Sequence, residues 1–244
     1  FVEFTNLQRQ TLYSESDAKE RFPKAIAAKN RISEINSEIE VEAIVADVNQ
    51  NNIESLIENC DLVIDGTDNF QIRYLVNDAC VKLNKTWIYG AAVSSYGTTM
   101  TIIPQKTPCL RCIFEEIPDA GSSPTCDTAG VIMPIISTIS AVQVSEALKI
   151  LTGNFDKLHR SLLQFDVWQN DWRKIKLNEP NPDCVCCVER KFEFLESENT
   201  EFFTTLCGRD SVQISAPKPT QIDLNSLAEK LRHLSQVKQN EYLV

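Results

Sequence analysis

The chain has 244 residues, 43% of them hydrophobic and 24% charged, with a formal net charge of −10. That composition suits a globular protein with one main domain and a small second one. With no Lys/Arg cluster, it argues against nucleic acid as the principal partner. Phe1 opens directly onto strand-like sequence, without the charged and apolar segments of a signal peptide. The expectation is therefore that further residues precede it. Nine cysteines without secretory features point to a reducing cytoplasm, where metal binding and thiol chemistry prevail over disulfides.

Ser14 to Asp17 offers helix caps, and Pro23 suits a first helical turn. Ile26, Ile32 and Ile35 then recur at roughly helical spacing, closing near Asn36. The run 40–45 alternates like a strand, and 53–59 predicts a short helix. Residues 61–65 form an apolar run of the kind buried inside a parallel sheet. A helix follows over 69–83 with Ile72, Leu75, Val76 and Ala79 inward, then strands at 87–89 and 99–103. The apolar stretch 131–151 is interrupted by Ser, Thr, Gln, Glu and Lys, so it predicts a buried helix and no membrane span. Strands are expected at 162–167 and 172–177, and a final helix at 224–237. This rhythm predicts an α/β fold with a doubly wound, mostly parallel Rossmann-like sheet. A main domain over 1–190 and a small extension over 191–244 are expected, the latter acidic and mixed in sequence.

Two cysteine pairs, Cys109-Leu-Arg-Cys112 and Cys184-Val-Cys-Cys187, have the spacing that lets two thiolates reach one metal ion from a tight turn. Together they supply four sulfurs for a closed, structural Zn²⁺ site tying the sheet domain to the downstream strands. Cys186 is an alternative ligand, although the two-residue spacing of Cys184 and Cys187 matches the usual turn better. Asp68, in Asp65-Gly-Thr-Asp-Asn69, stands where a strand meets a helix. There it either caps the helix or, at the carboxyl end of the sheet, holds Mg²⁺ between nucleotide phosphates. The two roles are compatible.

Arg9 offers a planar donor fork and Lys24 a point charge for phosphate oxygens. A solvated surface stretch is the competing reading of the segment that carries Arg9. Cys126 lies in a loop rich in Gly, Ser and Pro, where a thiol is either reactive or inert. Cys60 and Cys80 read as core residues, His159 and His233 as surface or helix residues, and Cys207 has no assigned role.

Thr5-Asn-Leu-Gln-Arg-Gln10, Pro23-Lys24, Asp65-Gly-Thr-Asp-Asn69, Gly90-Ala-Ala92, Cys109-x-x-Cys112, Thr125-Cys-x-x-Ala-Gly130 and Cys184-x-x-Cys187 occur in this order. Taken together, residues 1–190 resemble the ThiF/MoeB/HesA family, relatives of ubiquitin-activating enzymes. The resemblance implies an ATP-dependent adenylyltransferase that activates the Gly-Gly terminus of a ubiquitin-like sulfur carrier, ThiS-like or MoaD-like. It implies that Asn6, Arg9, Gln10, Lys24, Asp68 and Asn69 surround the nucleotide, with Arg9 and Asp68 catalytic. Cys126 matches a cysteine that takes part in sulfur transfer in ThiF-like members, while MoeB-like members adenylate without it. A homodimer is implied, serving thiamin or molybdenum cofactor biosynthesis.

The family's glycine-rich nucleotide loop and ribose-binding acidic residue lie upstream of the Asn-Leu-Gln-Arg-Gln motif, and the seven glycines here form no G-x-G-x-x-G. A truncation at the N-terminus is therefore expected, with little turnover from these residues alone. That gap motivates a second reading, a non-catalytic zinc-stabilised scaffold that binds the carrier. A zinc-containing nicotinamide dehydrogenase ranks last, since it needs an open zinc site. The stretch 204–213 is similar to an extension found on relatives from Gram-positive bacteria.

Overall fold

The structure, a computed structural model, describes residues 1–118, 126–177, 179–197, 203–206, 211–214, 222–234, 237 and 239–244. The chain divides into two compact units, Phe1–Asp47 with Glu201–Val244, and Val48–Thr200. In the first unit, Ser14 caps helix α1 (Glu15–Glu20) in a reciprocal arrangement. Its side chain accepts from the Asp17 N–H, and the Asp17 carboxylate accepts from the Ser14 N–H at 2.8 Å. Pro23 starts helix α2 (Lys24–Ile35), which closes at Asn36 as the pattern predicts. A small core of Val2, Ala18 and Ala27 gathers Leu7, Tyr13 and Phe22 around it. Ile35, one of the residues recurring at helical spacing, is exposed, and Ala27 is the residue of α2 that is buried.

Residues 40–45 form no strand, because neither described sheet pairs with them, and Ile44 and Val45 stay exposed. Alternating side chains suit a pleat, but a strand also needs a hydrogen-bonded neighbour.

The second unit begins with α3 (Ile53–Ile57), β1 (Val63–Ile64), α4 (Phe70–Lys82) and the hairpin β2 (Trp87–Val93) and β3 (Tyr96–Ile102). It continues with α5 (Leu110–Ile113), α6 (Cys126–Ala129), α7 (Met133–Leu151), β4 (Ser161–Asp166), β5 (Asp171–Lys176) and α8 (Glu193–Glu196). Five strands form one sheet in the order β1-β2-β3-β4-β5. The expected mostly parallel sheet is mixed: β1 and β2 are parallel, and the other three pairings are antiparallel.

Connection length explains the parallel pairing and two of the three antiparallel ones. β1 reaches β2 through the crossover helix α4, whereas β2 turns into β3 over Ser94 and Ser95, and β4 into β5 over residues 167–170. Parallel pairing needs a crossover of a dozen or more residues, and a tight turn permits only the antiparallel ladder. Ser94 and Asn170 take left-handed backbone angles, φ 55°, to make these turns. β1 is an edge strand in this sheet, so Ile64 is 47% exposed and, of the run 61–65, Asp65 is the residue that is buried as expected.

Alternate residues of the strands serve opposite faces. Trp87, Tyr89, Met100, Ile102 and Leu162 join the main core with Leu75, Val76 and Ala79 of α4. Ile135 and Ile139 of α7 pack with Phe165 on the other side. α7 is long and apolar enough by length and composition to cross a membrane, yet it lies on β2 and β3 with Gln143 and Glu146 buried. It is not the fully buried helix expected, since Met133, Val144, Leu148 and Leu151 face outward exposed.

Returning to the first unit, β6 (Phe203–Leu206) and β7 (Ser211–Ile214) pair antiparallel. α9 (Leu224–Arg232) is capped by Asp223, and it stops before the expected end at 237. Asn240 Nδ2 donates to the Glu20 carbonyl at 2.6 Å, and the Phe22 and Tyr242 rings meet edge to face at 6.4 Å.

The packing of α7 on β3 is tight enough to test. A Cβ built on Gly97 would stand 2.7 Å from Cγ1 of Ile139 and 2.9 Å from Cγ1 of Ile135. Gly97→Ala should therefore destabilise the protein by about 1–3 kcal/mol. Urea denaturation checks this, and an unchanged midpoint would show that α7 simply shifts outward.

Candidate functional site

The four paired cysteines come together in the second unit: one sulfur from each lies within 4.8 Å of all the others. Sγ to Sγ distances are 3.6 Å for Cys109 and Cys184, 3.8 Å for Cys109 and Cys112, and 3.4 Å for Cys112 and Cys187. A tetrahedron with Zn–S bonds of about 2.3 Å has S···S edges of about 3.8 Å, so the spacing fits one such ion. Each pair sits on a tight turn. Cys109 caps α5, and the Cys112 N–H donates to the Cys109 carbonyl at 3.1 Å. The Cys184 carbonyl accepts from the N–H groups of Val188 and Glu189, both at 3.1 Å.

Thiols this close do not ionise independently. Hydrogen bonds from Cys109, Cys112 and Cys187 hold Cys184 far below the ordinary thiol range. Cys187 is pushed far above it by Cys109, Cys112 and Cys184. A divalent cation removes this competition by stabilising all four thiolates at once. Cys186 is not one of the four: its Sγ is engaged by Asn77 and Asp78 of α4, although it also comes within hydrogen-bonding reach of Cys109.

A second feature forms where β1 meets α4, at the carboxyl end of the strand, the usual ligand side of an α/β sheet. Asp65 is buried there, and its Oδ1 accepts from the N–H and hydroxyl of Thr67, both at 2.8 Å. Its Oδ2 accepts from Arg73 Nε at 3.2 Å and from the Gly90 N–H at 3.4 Å. Arg73 also donates to the Thr67 carbonyl, and its guanidinium stands 5.7 Å from the ring centres of both Phe70 and Tyr89.

From α7, Gln143 Nε2 donates to the carbonyls of Asp65 at 2.9 Å and Ile88 at 3.1 Å. Gly90 is required for that approach, since a Cβ there would lie 2.5 Å from Gln143 Nε2. The loop Gly66-Thr67-Asp68 is thus tied down from three sides. Asp68 itself is exposed at the rim and makes no hydrogen bond among the described residues. It does not cap α4. Asn69 does, accepting from the N–H groups of Gln71 at 2.8 Å and Ile72 at 3.4 Å.

Cys126 begins α6, which lies against β2, and Gly130 at the end of this segment accepts from the Ser94 N–H at 2.8 Å. In the first unit, residues 5–10 wrap around Asn6. Its buried side chain accepts from the Glu3 N–H at 3.1 Å, and its carbonyl accepts from Arg9 and Gln10. Arg9 Nη1 donates to the Thr5 carbonyl at 2.7 Å, and Gln10 Oε1 is buried without a hydrogen bond among the described residues. Lys24 is the first residue of α2.

Several buried polar groups were not anticipated: Asp65, Arg73, Asn77, Asp78, Gln143 and Glu146. A polar residue on an otherwise buried helical face is the signal that marks such groups. His159, expected as a surface or helix residue, lies on Glu146, with its backbone N–H 3.2 Å and its ring Nε2 3.5 Å from Oε2. Burial lowers its pKa, against the opposing pull of Glu146. His233 is exposed, as expected. Of the two cysteines expected in the core, Cys80 is buried and Cys60 is exposed, because Cys60 follows the end of α3. Cys207 lies outside the described residues.

The Asp65–Arg73 pair yields a direct test. Arg73→Ala leaves a buried carboxylate without its cation and should cost about 3–5 kcal/mol in denaturant unfolding. Replacing both residues with apolar ones should cost less than that. A small effect of Arg73→Ala alone would mean that Thr67 and Gly90 suffice for Asp65.

Comparison with known proteins extends this picture. The model of the ThiF family matches residues 1–186. The sulfur carrier protein ThiS adenylyltransferase of Bacillus subtilis (strain 168) is 42% identical over 246 residues, covering 100% of this chain and 72% of that protein. The adenylyltransferase and sulfurtransferase MOCS3 of Culex quinquefasciatus is 38% identical over 188 residues, covering 77% of this chain and 42% of that protein. The chain thus spans well under half the length of that second relative. In fold it is similar to the crystal structure of E. coli MccB with ATP, with a TM-score of 0.64 and 21% identity. That likeness covers 76% of this chain and 56% of MccB. The chain belongs to the ThiF family.

Proposed function

We propose that this chain is the adenylating part of an enzyme that uses ATP to activate the C-terminal Gly-Gly carboxylate of a small ubiquitin-like sulfur carrier, ThiS-like or MoaD-like. The observation that carries this reading is the 42% identity to the ThiS adenylyltransferase across the whole chain. A carrier carboxylate oxygen bonds to the α-phosphorus of ATP, the bridge to the β-phosphate breaks, and pyrophosphate leaves. The acyl-adenylate that remains is ready to receive sulfur for thiamin or molybdenum cofactor biosynthesis.

Asn6, Arg9, Gln10 and Lys24 are assigned to the nucleotide, with Arg9 offering its planar fork to phosphate oxygens. Asp68 and Asn69 take the metal and phosphate side, and the free rim position of Asp68 supports this. Mg²⁺ held there would neutralise phosphate charge during the displacement. Cys126 is assigned to sulfur transfer. The four clustered cysteines hold a Zn²⁺ ion that braces the fold and leaves no open position for chemistry. Residues 1–190 would form the adenylation domain and 191–244 the extension. The protein acts in the cytoplasm as a homodimer, and the exposed apolar face of α7 suits a second copy.

Pyrophosphate release by the protein should require a Gly-Gly carrier, and failure with both carrier types would sink the proposal. Asp68→Ala should lower release about 10²-fold or more with fold and metal content unchanged. Retained activity would remove Asp68 from the machinery. Cys126→Ala should impair sulfur transfer more than acyl-adenylate formation. Equal loss in both steps would point to a structural role.

A further inference from the structure

Three cysteines occupy the four positions 184–187, and two of them complete the sulfur cluster. Cys186 is fully buried between these two, yet it turns to α4. Its S–H donates to Asp78 Oδ1 at 3.3 Å, and its sulfur accepts from Asn77 Nδ2 at 3.2 Å. The same two α4 residues reach further. Asn77 Oδ1 accepts from the N–H of Leu110, inside the first cysteine pair, at 2.9 Å. Asp78 Oδ2 accepts from the Phe194 N–H at 2.9 Å, just beyond the second pair. Asn77 and Asp78 are both fully buried, so each polar atom they leave unpaired would carry a desolvation penalty.

We infer that Asn77 and Asp78 are positioning residues for the metal centre: they fix both cysteine turns to one helix and select Cys187 over Cys186 as the fourth ligand. The argument is geometric. One side chain, Asn77, spans from the 109–112 turn to the 184–187 turn, segments 75 residues apart in sequence. The sulfur of Cys186 also reaches Cys109, but its hydrogen bonds to Asp78 and Asn77 draw it toward α4, and the four sulfurs that lie mutually within 4.8 Å are those of Cys109, Cys112, Cys184 and Cys187. Partners that orient the ligands of a metal site matter nearly as much as the ligands, with losses of about 10- to 100-fold in affinity on mutation.

This inference rests on the metal-centre reading above, and the test separates the two. The full chain is loaded with Co²⁺, whose sulfur-to-metal charge-transfer intensity scales with the number of bound thiolates. Zinc release from the Zn²⁺-loaded chain to a chromophoric chelator is followed in parallel. Wild type and Cys186→Ser should both give a four-thiolate spectrum, and Cys187→Ser a three-thiolate one. Asn77→Ala and Asp78→Ala should release zinc at least about tenfold faster. Asp78→Asn, which keeps an acceptor oxygen, should recover much of that loss.

Loss of a thiolate in Cys186→Ser, or wild-type release rates in both alanine variants, overturns the assignment of Asn77 and Asp78 while leaving the metal centre intact. No metal uptake by wild type would instead overturn the metal centre itself. Should the alanine variants fail to fold, the comparison of Cys186→Ser with Cys187→Ser still decides which thiol is the ligand.

Discussion

Helix α4 carries the constraint on which the second unit depends. Nine consecutive residues, Arg73 to Val81, are buried, and three of them are polar. A polar or charged group removed from water must find a partner. Arg73 finds Asp65 and the Thr67 carbonyl, and Asn77 and Asp78 find Cys186, Leu110 and Phe194. One turn of α4 thus fixes the loop that presents Asp68, and the next fixes the cysteine turns. The fold and the candidate site share these contacts.

The opposite face of the sheet follows the same logic with different means. α7 approaches closely because β2 and β3 supply Gly90 and Gly97 where a side chain would collide with Gln143 or with Ile135 and Ile139. That proximity allows Gln143 to reach the carbonyls of Asp65 and Ile88. Further along α7, Glu146 is 1% exposed and gathers Thr101, Lys149 and His159. A carboxylate so deep is tolerated because both oxygens are occupied, one by Lys149 at 2.5 Å. The small residues of the strands are therefore as much a part of the site as the charged ones.

Division of labour between the two features matches their chemistry. A closed set of four sulfurs suits an ion that braces and does not react. The rim at Asp68, beside a helix start and without a hydrogen bond among the described residues, suits a transient ligand. The match to the ThiS adenylyltransferase of Bacillus subtilis covers the segments that carry both features, and the ThiF family match over residues 1–186 includes Asp68 and three of the four cysteines.

Much of this was legible in the chain itself. The two cysteine pairs, the cap at Ser14, the helix start at Pro23 and most strands depend on neighbours three or four residues away, or on the two-residue pleat, so local sequence determines them. What sequence left open involves partners remote in the chain. The unpaired run 40–45, the mixed, mostly antiparallel sheet and the exposed Ile64 follow from which segments lie side by side. Cys186 meets Asn77 and Asp78 across 109 and 108 positions, and Phe194 meets Asp78 across 116. No local pattern encodes such pairings, because burial decides that a polar group needs a partner, and only the assembled fold decides which one is within reach.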